Sequence, residues 1–391
     1  MIKRLIGAVN EYIRSCDRLL WLFAVTAAVY GLVLIASIQR GGGPDFLKTQ
    51  IAAVCTGFCG AVVISLTDHR SIARLWWLWA GVSLALTVSV FFIGIQVSGT
   101  DDVGWLRLPF GVTFQPSELV KLCFIMTLSK HLAVLEERGR LKSFFGAATL
   151  LLHAAVPIGL IHLQGDDGAA LIFALMFIII SFSSGVQLRY FIIAGAVTAA
   201  AVPFVWLRVM NSDQKSRLTA LFSSDDEVLL NYGYQQYQGR ISIASGGAYG
   251  RGLFQGARVA RGAVPYQEND FIFTAAGEEL GYIGCVCIVL LFALMLIRIL
   301  YIASRQTDPL CRNICVGVFA LIGSQAVINL GMVLGLLPVI GITLPFFSSG
   351  GTSAVCTCLA VGLVQSAARE HPGRVGGTAG LTRISNWSQK K

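Results

Sequence analysis

An all-α, polytopic membrane protein is the fold class this sequence predicts, with about ten transmembrane helices and a long extracytoplasmic loop between the seventh and the eighth. Three observations lead there. Apolar runs near 20 residues recur along a chain of 391 residues that is 55% hydrophobic and 13% charged, and a hydrocarbon core of about 30 Å takes roughly 20 helical residues to cross. The basic residues gather in alternate connections instead of spreading evenly. Period-2 alternation of apolar and polar residues is missing, which argues against a transmembrane β-barrel.

The first eighteen residues carry Lys3, Arg4, Arg14 and Arg18, with Ile2, Leu5, Ile6, Val9 and Ile13 at helical spacing. That pattern predicts an amphipathic segment over 1–18 lying in the membrane interface, and no small-residue cleavage site follows it. Apolar runs then fall near 19–38, 47–66, 75–97, 117–134, 145–163, 168–184, 190–208, 272–300, 313–334 and 347–368. The stretch 19–369 reads as one transmembrane domain with no soluble domain, and its long outer loop spans about 209–271. Residues 370–391 are polar, with Pro372, glycines and Arg/Lys, and read as a disordered cytoplasmic tail.

With both termini in the cytoplasm, the inner connections hold Arg70, Arg74, Arg138, Arg140, Lys142, Arg189, Arg305 and Arg312, and the tail adds Lys390 and Lys391. The short outer connections hold little more than Arg40, Lys48 and Arg107, as the positive-inside rule requires. The formal charge of +9 therefore reports orientation in the membrane, and no nucleic-acid partner is expected. The ten cysteines lie within helices or at inner helix edges, none in the long outer loop where oxidation would occur. They read as small packing residues rather than disulfides or metal ligands.

Soluble-enzyme motifs such as a P-loop or a Gly-x-Ser-x-Gly elbow are absent. The informative groups are carboxylates in an apolar chain, because a charge in or beside a bilayer is costly unless paired or solvated and so marks a functional site. Asp270 stands at the edge of the apolar run 272–300, followed two turns later by Glu278 and Glu279. It is either a general base or the N-cap of that helix, since Asp favours helix starts. Glu278 and Glu279 lie about 80° and 180° around the helix from it, which predicts internal hydrogen bonds for them. Glu118 and Lys121 share a face at i, i+3, either as a catalytic pair or as an ion pair that fixes the helix start after Pro116. Asp166 sits between the fifth and sixth helices as a structural, metal-associated or catalytic acid. Ser348, Gly350 and Gly351 open the last helix, where free backbone amides can bind an anion. All of these fall on the outer side of the predicted topology.

Five blocks in order resemble the SEDS family of shape, elongation, division and sporulation proteins (FtsW, RodA, SpoVE), over nearly the whole chain. They are Phe114-Gln115-Pro116-Ser117-Glu118-Leu119, Gln164-x-Asp166-x-Gly168, Ser245-Gly246-Gly247-x-x-Gly250-x-Gly252, Asp270-Phe271-Ile272-Phe273 running into Gly277-Glu278-Glu279-Leu280-Gly281, and Gly335-Leu336-Leu337-Pro338 through Gly350-Gly351. The resemblance implies a peptidoglycan glycosyltransferase in the bacterial cytoplasmic membrane that polymerises lipid II at the outer face. It further implies Asp270 as the essential residue and a class B penicillin-binding protein as partner within an elongation or division complex. Sugar joining fits the residues: a partly desolvated carboxylate suits the base, and cations or helix-end amides suit a departing diphosphate. Lys121, Arg217, Arg240 and Arg251 are the candidate diphosphate contacts, and Tyr234, Gln235 and Gln238 candidate sugar contacts. No motif demands a cofactor, and the diphosphate leaves room for a divalent cation (Mg or Mn). Three positions depart from the family pattern: Val103 and Gly104 precede Trp105 where an arginine is usual, Ser349 replaces a tyrosine, and Gly165 replaces a proline. A lipid II flippase and a non-catalytic scaffold are the rival readings. The outer-edge position of the polar residues, not the midplane, favours surface chemistry over alternating access.

Overall fold

In the computed structural model, residues 12–40, 45–96, 103–107, 113–222 and 233–369 are described. The expected interfacial segment lies mostly, and the tail 370–391 entirely, outside them. Several helices start where the sequence supplies a cap. Asp17 accepts from Leu20 N ahead of α1 (Arg18–Gln39). α2 (Phe46–Leu66) and α3 (His69–Arg74) follow, the latter capped by Asp68. α4 is Trp76–Ile93, after which Leu106–Arg107 (β1) and Thr113–Phe114 (β2) form a short antiparallel pair. α5 (Pro116–Glu137) opens on proline, whose missing N–H costs nothing at a helix start. α6 (Phe144–Leu163) and α7 (Asp167–Ser183) are capped by Ser143 and Asp166. α8 (Leu188–Phe204) runs on into a π-helical turn, Val205–Val209. Among the described residues, three shorter helices follow: α9 (Ser212–Ala220), α10 (Tyr234–Gly246) and α11 (Ala257–Ala260). The long α12 (Ile272–Ser304), α13 (Pro309–Val333) and α14 (Gly351–Arg369) complete the chain.

Among the described residues, eight helices are long and apolar enough to cross a membrane. The remaining two of the ten predicted runs are α5 and α7. α7 has 17 residues, and α5 carries Glu118, Lys121, Lys130, Glu136 and Glu137. α5 can hold charge because it is enclosed by the bundle, where a polar group meets protein instead of lipid. α13 and α14 are likewise mostly buried, whereas α8 buries no residue and α4 almost none, so these two face lipid. Close packing uses small residues, as membrane helices require. A Cβ at Gly57 would stand 2.9 Å from that of Cys358, and one at Gly362 would stand 2.6 Å from the Ala61 carbonyl, so α2 and α14 lie nearly backbone to backbone.

Hydrogen bonds define two ends. At one, Arg298 meets Asp17, Arg70 meets Asp308 and Arg312 meets Glu136. The basic residues of the inner connections thus share one end of the bundle. At the other, the stretch read as a long outer loop folds as α9 to α11 over its described residues. Gln236 of α10 donates to the carbonyls of Met332 (2.8 Å) and Leu337 (2.7 Å). α12 breaks at Gly281, whose φ of 66° no other residue adopts comfortably. The freed amides of Tyr282 and Ile283 donate to Gly247 and Ala248, while the carbonyls of Glu278 and Glu279 accept from Arg251 N and Gly252 N. Two family blocks are therefore one structural unit. A Cβ at Gly246 would collide with the Gly277 carbonyl oxygen. Gly246→Ala is expected to lower the melting temperature and to make 233–260 cleavable by added protease, because overpacking against backbone costs about 1–3 kcal/mol or more.

Candidate functional site

Glu118 lies in the first turn of α5, where the helix dipole favours a carboxylate. One turn on, Lys121 Nζ meets Glu118 Oε1 at 2.7 Å. The side chains are 2% and 9% exposed, so each charge is stable there only because the other is present. The pair forms the floor of a cavity of about 30 Å³ opening between α5, α7, α13 and the 335–350 loop. Gln115, Asp166, Gln325, Gly341 and Thr343 complete its polar lining. That volume admits about one water, so a larger ligand can only lie across its mouth.

Asp166 is committed to structure on both oxygens. Oδ1 accepts from Ala169 N at 2.8 Å as the α7 cap, and Oδ2 accepts from Gln115 Nε2 at 3.2 Å and Ser117 Oγ at 3.4 Å. The preceding Gly165 has φ +86°, which the family's usual proline cannot adopt, so this turn has its own backbone path. Gly168 meets the Ile340 carbonyl where a Cβ would stand, which brings the 335–350 loop onto α7.

Asp270 stands at the rim of this cavity. The N-cap position of α12 belongs to Phe271, and Asp270 precedes it. Its segment is fixed by main-chain bonds. Asn329 Nδ2, fully buried on α13, donates to the carbonyls of Asp270 (2.8 Å) and Ile342 (2.6 Å), and Ser349 N donates to the Glu268 carbonyl (2.7 Å). Asp270 Oδ2 lies 3.8 Å from where a Cβ on Gly341 would be, and Gly341 lines the cavity. Gly341 thus lies beside Asp270 and lines the same cavity as the Glu118–Lys121 pair. Gln325 and Asn329, which sequence reasoning passed over, are spaced i, i+4 on α13. One lines the cavity and the other holds Asp270.

The remaining candidates scatter. Arg240 is exposed on α10 with its guanidinium over Gly335, in the loop that carries Gly341. Arg217 lies on α9, which Gln214 ties to Asp167 at 2.6 Å. Arg251 is exposed beside the α12 break. None of the three lines the cavity. Gln238 Oε1 accepts from Arg258 Nη2 at 2.5 Å, and Gln235 Nε2 reaches the Pro265 carbonyl at 3.4 Å. Glu278 accepts from Arg258 N and Val259 N, and Glu279 from Ser37 Oγ and Gly256 N, the internal bonding expected for both. At the start of α14, Gln50 reaches across from α2 to donate to the Ser348 carbonyl and accept from Gly350 N, so that amide is already used. Gly351 begins the helix, and Thr352 Oγ1 accepts from Gln115 N at 3.3 Å. The donors do not fit a resident Mg or Mn. Asp166 is consumed, and no three ligating side chains converge among the described residues.

Known proteins share this arrangement of helices. The chain is 32% identical over 359 residues to a probable peptidoglycan glycosyltransferase FtsW of Trichlorobacter lovleyi, covering 89% of this chain and 92% of the relative. It is 28% identical over 353 residues to the peptidoglycan glycosyltransferase MrdB of Escherichia coli K12, covering 90% and 92%. Among solved structures, it is similar to a chain of a peptidoglycan synthase complex described as coordinating polymerization and crosslinking. There the TM-score is 0.76 at 26% identity, with 91% of this chain and 98% of the other covered. Thermus thermophilus RodA gives a TM-score of 0.66 at 26% identity, with the same coverage. The FtsW/RodA/SpoVE family, described as cell cycle proteins, matches residues 17–372, and this chain belongs to it.

Proposed function

We propose that this protein is a peptidoglycan glycosyltransferase that polymerises lipid II at the outer face of the bacterial cytoplasmic membrane, with Asp270 as general base. The relatives' activity supports the reaction class. The observation that carries the assignment is the placement of Asp270: held by Asn329 through its main chain, it lies beside Gly341, which lines the cavity floored by Glu118 and Lys121. Its carboxylate takes the proton of the acceptor sugar hydroxyl as that oxygen bonds the donor's anomeric carbon. The lipid diphosphate leaves from the opposite side, which inverts the centre. Lys121 supplies a buried positive charge toward the leaving diphosphate, and Arg240 a second at the loop edge, where preorganised cations stabilise developing charge. Arg217 and Arg251 are assigned to the outer segment's contact with the lipid-linked chain. Gln235, Gln238, Ser348 and Gly350 act through the bonds that occupy them, and Gly351 as the first residue of α14. A divalent ion enters only as a counter-ion carried by the diphosphate.

The basic end of the bundle faces the cytoplasm by the positive-inside rule, which puts both termini there and the cavity outside. Similarity to a chain of a synthase complex supports a crosslinking partner, read as a class B penicillin-binding protein within an elongation or division complex.

The test is glycan-strand formation from lipid II by wild type and Asp270→Asn, each with the cognate penicillin-binding protein and its transpeptidase blocked. Polymer from wild type alone is expected. Polymer from both would remove Asp270 as base. Translocated but unpolymerised lipid would make the protein a flippase, and neither product would make it a scaffold. Asn329→Leu, which strips two carbonyls of their donor, is expected to lower kcat about 10²-fold with little change in KM for lipid II, since misplacing a reacting group by about 1 Å costs that much.

A further inference from the structure

At the basic end of the bundle, a second cavity of about 230 Å³ opens between the start of α1 and the last turns of α12. Cys16, Asp17, Arg298, Tyr301 and Arg305 form its polar wall. Arg298 and Asp17 neutralise each other: Nε donates to both carboxylate oxygens at 3.0 Å and Nη2 to Oδ2 at 2.6 Å. Arg305 is placed differently. Its Nη2 donates to the Tyr301 hydroxyl at 3.0 Å, its guanidinium lies 5.1 Å from that ring's centroid, and it pairs with no carboxylate among the described residues. Arg369, donating to Ser15 Oγ at 3.2 Å, adds positive charge at the rim. Burial pushes the Cys16 thiol up, so the thiol adds no negative charge to that wall.

An apolar track lies on the same face of α12 as Tyr301. Leu290, Leu294 and Ile297 lie within about 40° of Tyr301 around α12, at 100° per residue. They are 53%, 40% and 63% exposed. A ligand whose anionic head sat at Arg305 could lay a hydrocarbon chain along them, with the tyrosine ring at the depth where such rings mark a membrane interface. The volume lies below the roughly 300–1,000 Å³ of sites for drug-sized molecules and suits a headgroup.

We propose that this cavity binds the phosphate headgroup of an anionic phospholipid from the leaflet at the basic end, with Arg305 as its principal contact and an acyl chain along α12. Basic pockets between helix ends are a recurring way to hold such headgroups. The proposal is independent of the polymerase reading, because it lies at the opposite end of the bundle from Asp270.

Native mass spectrometry of the delipidated full-length protein, titrated with phosphatidylglycerol or phosphatidylcholine, tests it. One phosphatidylglycerol is expected to be retained in preference to phosphatidylcholine, and Arg305→Gln, at an exposed helix end, to weaken retention about fivefold, the contribution of one arginine near an anionic surface. Arg189→Gln is the control: that arginine also stacks on a tyrosine, 4.8 Å from the Tyr190 centroid, but lines no part of this cavity. It is expected to change nothing. Equal retention of the two lipids, equal loss in both variants, or no loss in Arg305→Gln would overturn the site. Displacement of the lipid by equimolar inorganic phosphate would overturn the lipid assignment in favour of a soluble phosphate.

Discussion

Asp270→Asn is expected to cut glycan polymerisation about 10²- to 10⁴-fold, the usual contribution of a positioned general base, with the melting temperature unchanged. The substitution keeps the side chain's size, and the bond from Asn329 goes to the main-chain carbonyl, which any residue supplies. What is lost is the ability to accept a proton. Asp270→Glu separates base from scaffold: it restores a carboxylate but displaces it by one methylene. It should recover part of kcat, because a misplaced base still acts at a cost of about 10²-fold per ångström. If Asn and Glu variants are equally inactive and both melt early, the acid is structural. If the Asn variant keeps more than a tenth of wild-type kcat, the proton goes elsewhere.

The helices were legible because crossing a bilayer demands length and apolarity, and the chain has no cheaper way to satisfy backbone groups in lipid. The outer loop over 209–271 gave no helical period, yet its described residues fold as α9 to α11. α10 buries Gln236, Gly239, Ser242 and Gly246, a face of small and polar residues, so hydrophobic periodicity has nothing to detect there. The break at Gly281 was equally silent, since Gly277 through Gly281 runs directly into an apolar stretch. The face angles assigned to Glu278 and Glu279 assumed that Asp270 shares their helix, whereas it precedes α12. Both acids do bond internally, to amides at the start of α11 and to Ser37 Oγ.

At the site, the acids themselves were visible as charges in an apolar chain, and their convergence was not. Nothing in the spacing of Glu118, Asp166 and Gly341 says that they line one cavity, because that depends on how α5, α7 and the 335–350 loop pack. Asn329 was missed because a lone amide within the run 313–334 resembles ordinary helix packing. The available signal was its i, i+4 relation to Gln325, two amides on one face of a buried membrane helix. Gln50 is the same kind of omission on α2, where a single buried amide pins the turn at Ser348 and Gly350.

Lys121→Met is expected to destabilise the protein by about 3–5 kcal/mol, the cost of stranding one partner of a buried ion pair. The stranded group is Glu118, 9% exposed over a cavity with room for about one water. Thermal unfolding in detergent reads the loss directly. Glu118→Gln with Lys121→Met removes both charges while keeping their volume, and should recover most of the stability, as buried pairs replaced together often do. Polymerisation then distinguishes the two meanings of the pair. If Lys121 acts on the leaving diphosphate, the stable double variant stays slow, with kcat depressed, because no neighbouring group can replace a cation buried at that floor. If the double variant polymerises as wild type does, the pair serves only to set the first turn of α5, and the positive charge toward the diphosphate must come from Arg240 and the outer segment.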